Sequence, residues 1–133
     1  MTDYNRVFFD TAPLVYLLDT DTQYTGAMEK IMHRLSAKGV ILLTSIVTVA
    51  EYLVYPYRKN DFLKARYFFN FLTQANFVVM DIDVTVAEQS ALFRANYLGF
   101  KGMDALQLAA AYMGNADVFI TNDKQLCQCR EVN

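Results

Sequence analysis

Short, almost wholly apolar runs alternate along the chain with longer segments whose apolar residues recur every three to four positions. That alternation restricts the fold to a few α/β arrangements. The short runs are Val7-Phe8-Phe9, Val40-Ile41-Leu42-Leu43, Phe77-Val78-Val79-Met80 and Val118-Phe119-Ile120-Thr121. Strands that are apolar throughout suit a parallel sheet covered on both faces. The segments between them read as helices. Thr11 is expected to cap the first, with Pro13 in its first turn, where a missing N–H costs nothing. Thr22 to Lys38 carries Met28, Ile31, Met32 and Leu35 on one face and ends at Gly39. Thr44-Ser45 opens a helix that carries Glu51 and stops near Pro56. Asp61 to Gln74 is dense in aromatic residues. Thr85-Val86-Ala87-Glu88 has capping-box spacing and starts a helix to about Tyr97. After a turn at Gly99-Phe100-Lys101-Gly102, Met103 to Met113 forms a helix rich in Ala and Leu, closed by Gly114. A short helix is expected after Asp123. The expected architecture is a three-layer α/β/α sandwich around a mostly parallel central sheet of four to five strands, with residues 1–133 as a single domain.

The chain has 133 residues, of which 54% are hydrophobic and 20% charged. A chain of this length buries about two-thirds of its unfolded surface, which is enough for a core without disulfides or metals. This composition excludes a disordered tail. Twelve basic residues against 14 acidic ones give a formal net charge of -2. That excludes a generic basic nucleic-acid coat, whose affinity comes from cations displacing counterions. It leaves room for a nucleic-acid enzyme that binds locally with a cation's help. Cys127 and Cys129 are too few and too close for a disulfide scaffold, and they read as reduced thiols. The polar segment Met1 to Arg6 does not read as a signal peptide, and no run approaches the roughly 20 apolar residues of a membrane span. A soluble, cytoplasmic protein with no membrane association is expected.

If the strands are parallel, right-handed crossovers place all their carboxyl ends on one edge of the sheet, where ligands bind in open α/β folds. Asp10 directly follows the first run, and Asp123 comes two residues after the fourth. Asp104 starts the Ala-rich helix, and Glu51 lies within two turns of the start of the helix that leaves the second run. Each has a structural reading: Asp10 and Asp123 as caps, Glu51 in a capping box with Thr48, Asp104 as a charge favoured at a helix N-terminus. One shared crevice would explain all four together. Two carboxylates about 4 Å apart repel by roughly 4 kcal/mol at an effective dielectric of 20. Such a group needs protons or cations to share its site, and oxygen-only ligands select hard ions such as Mg²⁺ or Mn²⁺.

Other residues invite plainer accounts. Asp81 and Asp83 read as turn or cap residues, and His33 as a surface or packing residue. The aromatic helix reads as core plus an association surface. Tyr52, Tyr55 and Tyr57 could line a substrate groove or a dimer interface. Arg6, Lys101, Lys124 and Arg94 are the basic residues expected near the acidic edge, and solvated surface charge is the simpler account of each.

Over nearly its whole length the sequence resembles the PIN-domain proteins, and most of all the VapC-type ribonuclease toxins of toxin–antitoxin modules. The resemblance is carried by Val7-Phe8-Phe9-Asp10-Thr11, Thr48-Val49-Ala50-Glu51, Asp104-Ala105-Leu106-Gln107-Leu108-Ala109-Ala110-Ala111 and Thr121-Asn122-Asp123, in that order. It implies a metal-dependent ribonuclease in which Asp10, Glu51, Asp104 and Asp123 hold Mg²⁺ or Mn²⁺. It further implies that Thr121 and Thr11 orient ligands or water, and that a metal-activated water leaves a 5′-phosphate and a 3′-hydroxyl. The implied partners are an RNA substrate, a cognate antitoxin that blocks the crevice with a basic or aromatic segment, and a second copy of the chain. The family usually adds a strand after the fourth acid. Here Asn133 follows Asp123 by ten residues, so a short sheet edge is expected.

Two other classes compete. A phosphohydrolase would want Asp-x-Asp after the first strand, whereas Thr11 and Ala12 follow Asp10. A receiver-like domain would use Asp81 as phospho-acceptor, but no second acid accompanies Asp10. A non-catalytic PIN-like module that binds nucleic acid or protein would keep the fold without turnover.

Overall fold

The computed structural model describes residues 4–19, 23–129 and 131–132. Four strands, β1 (Arg6–Phe9), β2 (Ile41–Ser45), β3 (Val78–Met80) and β4 (Val118–Ile120), form a sheet in the order β3-β2-β1-β4. All three pairings are parallel, with Val7 opposite both Leu42 and Val118 and Leu43 opposite Val78. Successive side chains on a strand face opposite ways. Phe8, Leu43 and Phe119 therefore enter one half of the core, and Val7, Phe9 and Leu42 the other.

Helices cover both faces, giving the three expected layers. On one face lie α6 (Val84–Asn96) and α7 (Gly102–Met113), which contribute Val86, Phe93 and Leu108. The fully buried alanines of α7, Ala105, Ala109, Ala110 and Ala111, let its axis lie close to the sheet. The other face is covered by α1 (Thr11–Leu18), α2 (Thr25–Ala37) and α5 (Phe62–Gln74), through Leu14, Met28 and Phe71. There α5 also stacks Phe68 on Tyr52, with ring centroids 4.3 Å apart. After β4 the chain makes a 3-10 turn (Lys124–Gln128), and Leu126, Cys129 and Val132 return to the core. No fifth strand occurs among the described residues, in keeping with a short sheet edge. No helix among them is long and apolar enough to cross a membrane.

The structure corrects several local expectations. The cap of α1 is Asp10 rather than Thr11: its carboxylate accepts from Thr11 N at 2.9 Å. Asp83, not Thr85, caps α6 by accepting from Val86 N at 2.9 Å. Thr22 lies outside the described residues, as do Met1 to Asp3 and Asn133, and α2 begins at Thr25. Pro56 does not stop a helix. The helix from β2, α3 (Ile46–Tyr52), breaks at Leu53, and Pro56 then occupies the first turn of α4 (Val54–Arg58), where its absent N–H is not missed. Gly114 caps α7 at φ -82°, while the left-handed residue after it is Asn115 at φ 57°. Asn60 and Asn76 do the same after α4 and α5, because asparagine tolerates the left-handed region better than other residues with a Cβ.

The corrected cap on α6 is directly testable. Asp83→Ala should lower unfolding free energy by about 1 kcal/mol in urea denaturation. Thr85→Ala, at an exposed helical position, should leave it unchanged or slightly raised.

Candidate active site

Chain order and sheet order part company at β1. The chain steps outward from β1 to β2 to β3 and then returns to place β4 on the other side of β1. The carboxyl ends of β1 and β4 thus flank a topological switch point, where open α/β sheets leave a crevice. Asp10 extends the ladder one residue beyond β1, its N–H donating to Ile120 O at 2.9 Å. A cleft of about 540 Å³ opens there, lined by Asp10, Glu51, Asp104, Thr121 and Asp123 among others. All four sequence-identified acids and Thr121 therefore face one cleft, as does Thr11.

Each acid is held differently. Asp10 is buried, at 8% exposure, and both its oxygens accept hydrogen bonds. Oδ1 takes Thr11 N at 2.9 Å and Gln107 Nε2 at 3.2 Å, and Oδ2 takes Thr121 Oγ1 at 2.8 Å. Glu51 is exposed and accepts from Thr11 Oγ1 at 2.6 Å, and because Ser45 caps α3, Thr48 lies inside the helix and forms no capping box with Glu51. Asp123 caps the 3-10 turn through Gln125 N at 2.9 Å, while its own N–H donates to Thr121 Oγ1 at 3.1 Å. Asp104 sits in the first turn of α7. Capping and clustering therefore coexist at Asp10 and Asp123.

The four acids share one electrostatic field. The Asp104 carboxyl is pushed above the usual carboxylate range, first by burial and then by the charges of Asp10, Asp123 and Glu51, with Lys101 opposing. None of the four is ion-paired to Lys or Arg among the described residues; Lys64 instead spends its charge on Asp19 at 3.0 Å. Nor, among those residues, do three or more His, Cys, Asp or Glu side chains lie close enough together as placed to hold a metal ion. Like charges with no counterion between them spread apart and turn to neutral donors, which the threonines and Gln107 provide.

Beneath the carboxylates lies a buried polar layer that sequence reading missed. Thr44, Ser45 and Thr48 are fully buried, and Gln107 is 1% exposed. Gln107 Nε2 donates to Thr48 Oγ1 at 2.7 Å, and Gln107 Oε1 accepts from Ser45 Oγ at 2.5 Å. Thr44 Oγ1 lies 2.9 Å from both Phe9 O and Thr48 Oγ1. The available signals were a glutamine on the apolar stripe of α7 and the hydroxyls that end β2.

Other sequence candidates fall elsewhere. Arg6 starts β1, at the opposite edge of the sheet from the acids, and its Nε donates to Gly114 O at 2.8 Å. Cys127 and Cys129 are free, and burial pushes the Cys129 thiol up to about 11. A second groove, of about 950 Å³, reaches the acids through Thr11 and Glu51 and is lined by Leu63, Tyr55 and Tyr67. At its wall the buried Tyr52 hydroxyl has no hydrogen-bond partner among the described residues, and burial and then Asp19 raise it to about 12.

Two predictions follow from these environments. The raised folded-state affinity of Asp104 for a proton means that stability falls as pH rises from the ordinary carboxylate value through the raised one. Asp104→Asn should therefore raise Tm in divalent-free buffer at pH 7, and the gain should vanish below the ordinary carboxylate pKa. Tyr52→Phe removes an unsatisfied buried group, so it should be neutral or stabilising by up to about 1 kcal/mol in denaturant titration.

Comparison with known proteins places these features in context. No curated protein matches the chain. Among solved structures, VapBC2 from Rickettsia felis, bound to a DNA fragment from its promoter, superposes with a TM-score of 0.79 at 17% identity, over 96% of this chain and 95% of that one. A toxin–antitoxin complex from Klebsiella pneumoniae gives 0.69 at 23% identity, over 96% and 95%. Mycobacterium tuberculosis VapC20, a toxin that cleaves the sarcin–ricin loop, gives 0.70 at 18%, over 92% and 93%. At such identities these structures share the fold. The PIN domain family model matches residues 7–132, from the first residue after Arg6 to the last core residue, so the chain belongs to the PIN domain family.

Proposed function

We propose that this protein is a divalent-cation-dependent endoribonuclease, acting as the toxin of a toxin–antitoxin module. One observation carries the reading: four carboxylates with no cationic partner among the described residues line a single cleft at the switch point of a PIN-domain sheet. Oxygen-only donors suit Mg²⁺ or Mn²⁺, and the raised proton affinity of Asp104 reflects its burial and, after that, neighbouring negative charge that a cation would relieve. The donor set therefore fits such an ion, and Asp10, Glu51, Asp104 and Asp123 would hold it directly or through water. When bound, it supplies an activated water for attack at phosphorus and neutralises charge on the phosphate.

The chain's own residues do the positioning. Thr121 and Gln107 fix the Asp10 carboxylate from two sides. Thr11 holds one oxygen of Glu51, leaving the other free to orient water in the cleft. Lys124 at the cleft and Lys101 in the adjoining groove are placed to meet phosphates beside the scissile one. VapC20 and the two toxin–antitoxin complexes support the RNA substrate and the antitoxin partner. The groove with Leu63, Tyr55, Tyr67 and the orphaned Tyr52 hydroxyl suits an antitoxin segment that ends at the acids. Exposed apolar surface such as Leu63 and Leu98 would be covered by that partner or by a second copy of the chain. The cytoplasm is the compartment this role requires.

Receiver-like chemistry is disfavoured by topology. Asp81 follows the edge strand β3, two strands from β1, so it lies roughly 10 Å from Asp10 at ordinary strand spacing.

Purified protein should cleave RNA to 5′-phosphate products with Mg²⁺ or Mn²⁺ and be silent in EDTA. Asp10→Asn should lower kcat by more than the roughly 100-fold typical of losing an outer-sphere partner, while circular dichroism stays unchanged. Manganese binding without cleavage of any RNA would favour the non-catalytic module. Phosphorylation of an Asp by a small phosphodonor would favour a phosphohydrolase.

A further inference from the structure

We infer that Gln107 is a positioning residue that presets Asp10, and through Thr11 Glu51, for cation capture. The inference rests on the reading of those acids as cation ligands.

Gln107 lies one turn after Asp104 on α7, so one helix supplies both an acid and the amide that holds another. Its orientation is fixed by proton count. Ser45 Oγ accepts from Val47 N at 3.1 Å, so its own proton is free for Gln107 Oε1 at 2.5 Å. The amide nitrogen must then face the site, where Thr48 Oγ1, Asp10 Oδ1 and Thr11 Oγ1 lie at 2.7, 3.2 and 3.3 Å. The hydroxyl protons have a direction too. Thr11 gives its proton to Glu51 Oε1 at 2.6 Å, so its lone pairs are left to accept from Gln107 Nε2 at 3.3 Å. The amide therefore acts on Asp10 directly and on Glu51 through Thr11, with Thr48 holding the amide at 2.7 Å.

Gln107 also satisfies the buried hydroxyls of Ser45 and Thr48, a structural role that stability reports and the cation affinity of the folded protein does not. Outer partners of this kind lower the cost of binding a cation by holding its ligands in place beforehand.

The test is Mn²⁺ binding by the full chain without RNA, measured by calorimetry well below Tm, for wild type, Gln107→Met, Thr48→Val and Asp10→Asn. Gln107→Met should keep its circular dichroism spectrum and raise the Mn²⁺ Kd about 10- to 100-fold. Thr48→Val keeps the direct bond to Asp10 and should raise it by less. A purely structural role would lower Tm and leave the Kd of the folded protein alone. A Kd within about twofold of wild type for folded Gln107→Met overturns the inference. Should Gln107→Met fail to fold, the same result for Thr48→Val does so. If wild type binds no Mn²⁺, or Asp10→Asn binds as well as wild type, the cation site itself fails and the inference falls with it. Wild-type binding that Asp10→Asn abolishes and Gln107→Met leaves intact sinks only the role of Gln107.

Discussion

Repulsion among carboxylates gathered at one sheet edge is the constraint that the rest of the structure answers. Asp10 is buried with three other acids facing the same cleft and no Lys or Arg bonded to it among the described residues. Three donors meet its two oxygens: the Thr11 amide, the Gln107 side chain and the Thr121 hydroxyl. Hydrogen bonds to a charged group contribute about 1.5–3 kcal/mol each. Three of them are of the same order as a close carboxylate repulsion at intermediate dielectric, roughly 4 kcal/mol. Neutral donors thus offset the charge without consuming it. On the proposed reading, a Lys or Arg in their place would occupy the position a cation needs.

Those donors are brought together by the fold. Parallel pairing aligns the ends of β1, β2 and β4, which deliver Asp10, Ser45 and Thr121 to one edge. Four buried alanines let α7 settle onto the sheet, close enough for Gln107 to reach Ser45 and Asp10. Gly114 marks how tight that approach is: a Cβ there would stand 3.1 Å from Ala110 O and 3.2 Å from Leu43 Cδ2. The same helix carries Asp104 in its first turn, where the macrodipole favours a carboxylate even as its neighbours disfavour it. Core packing and site geometry are therefore one arrangement.

The layers, the parallel sheet and the four acids were legible because each leaves a signal in one short stretch of sequence. Apolar runs mark buried strands, and an acid just after such a run falls on the ligand-binding edge whatever the loop does. Caps were less legible. Thr11 and Asp10, or Thr85 and Asp83, are equally good cappers one or two residues apart, and the choice depends on where the strand releases the chain. Arg6 was misplaced for a similar reason: it starts β1 rather than ending it, so its charge serves Gly114 O at the far edge. Gln107, Thr44, Ser45 and Thr48 left the faintest trace. Their partners lie as many as 97 residues apart, and a lone glutamine on an Ala-rich helix predicts nothing until the sheet is beside it.

On the proposed reading an acidic protein acts on a polyanion, which is no contradiction once distances are compared. Net charge of -2 spread over the surface is screened within about 8 Å at physiological ionic strength, so the local field at the cleft decides what enters. That field is negative, because Asp10, Asp123 and Glu51 add their charges to the burial that raises Asp104, and on the proposed reading it repels phosphate until a cation reverses it. On the proposed reading, cation and RNA each make the site more favourable for the other. Linkage requires the two effects to be equal, so RNA must tighten the cation by the factor by which the cation tightens RNA. A donor layer that holds the acids without neutralising them preserves that coupling. A site balanced by its own lysines would bind RNA more readily and lose the dependence on the ion.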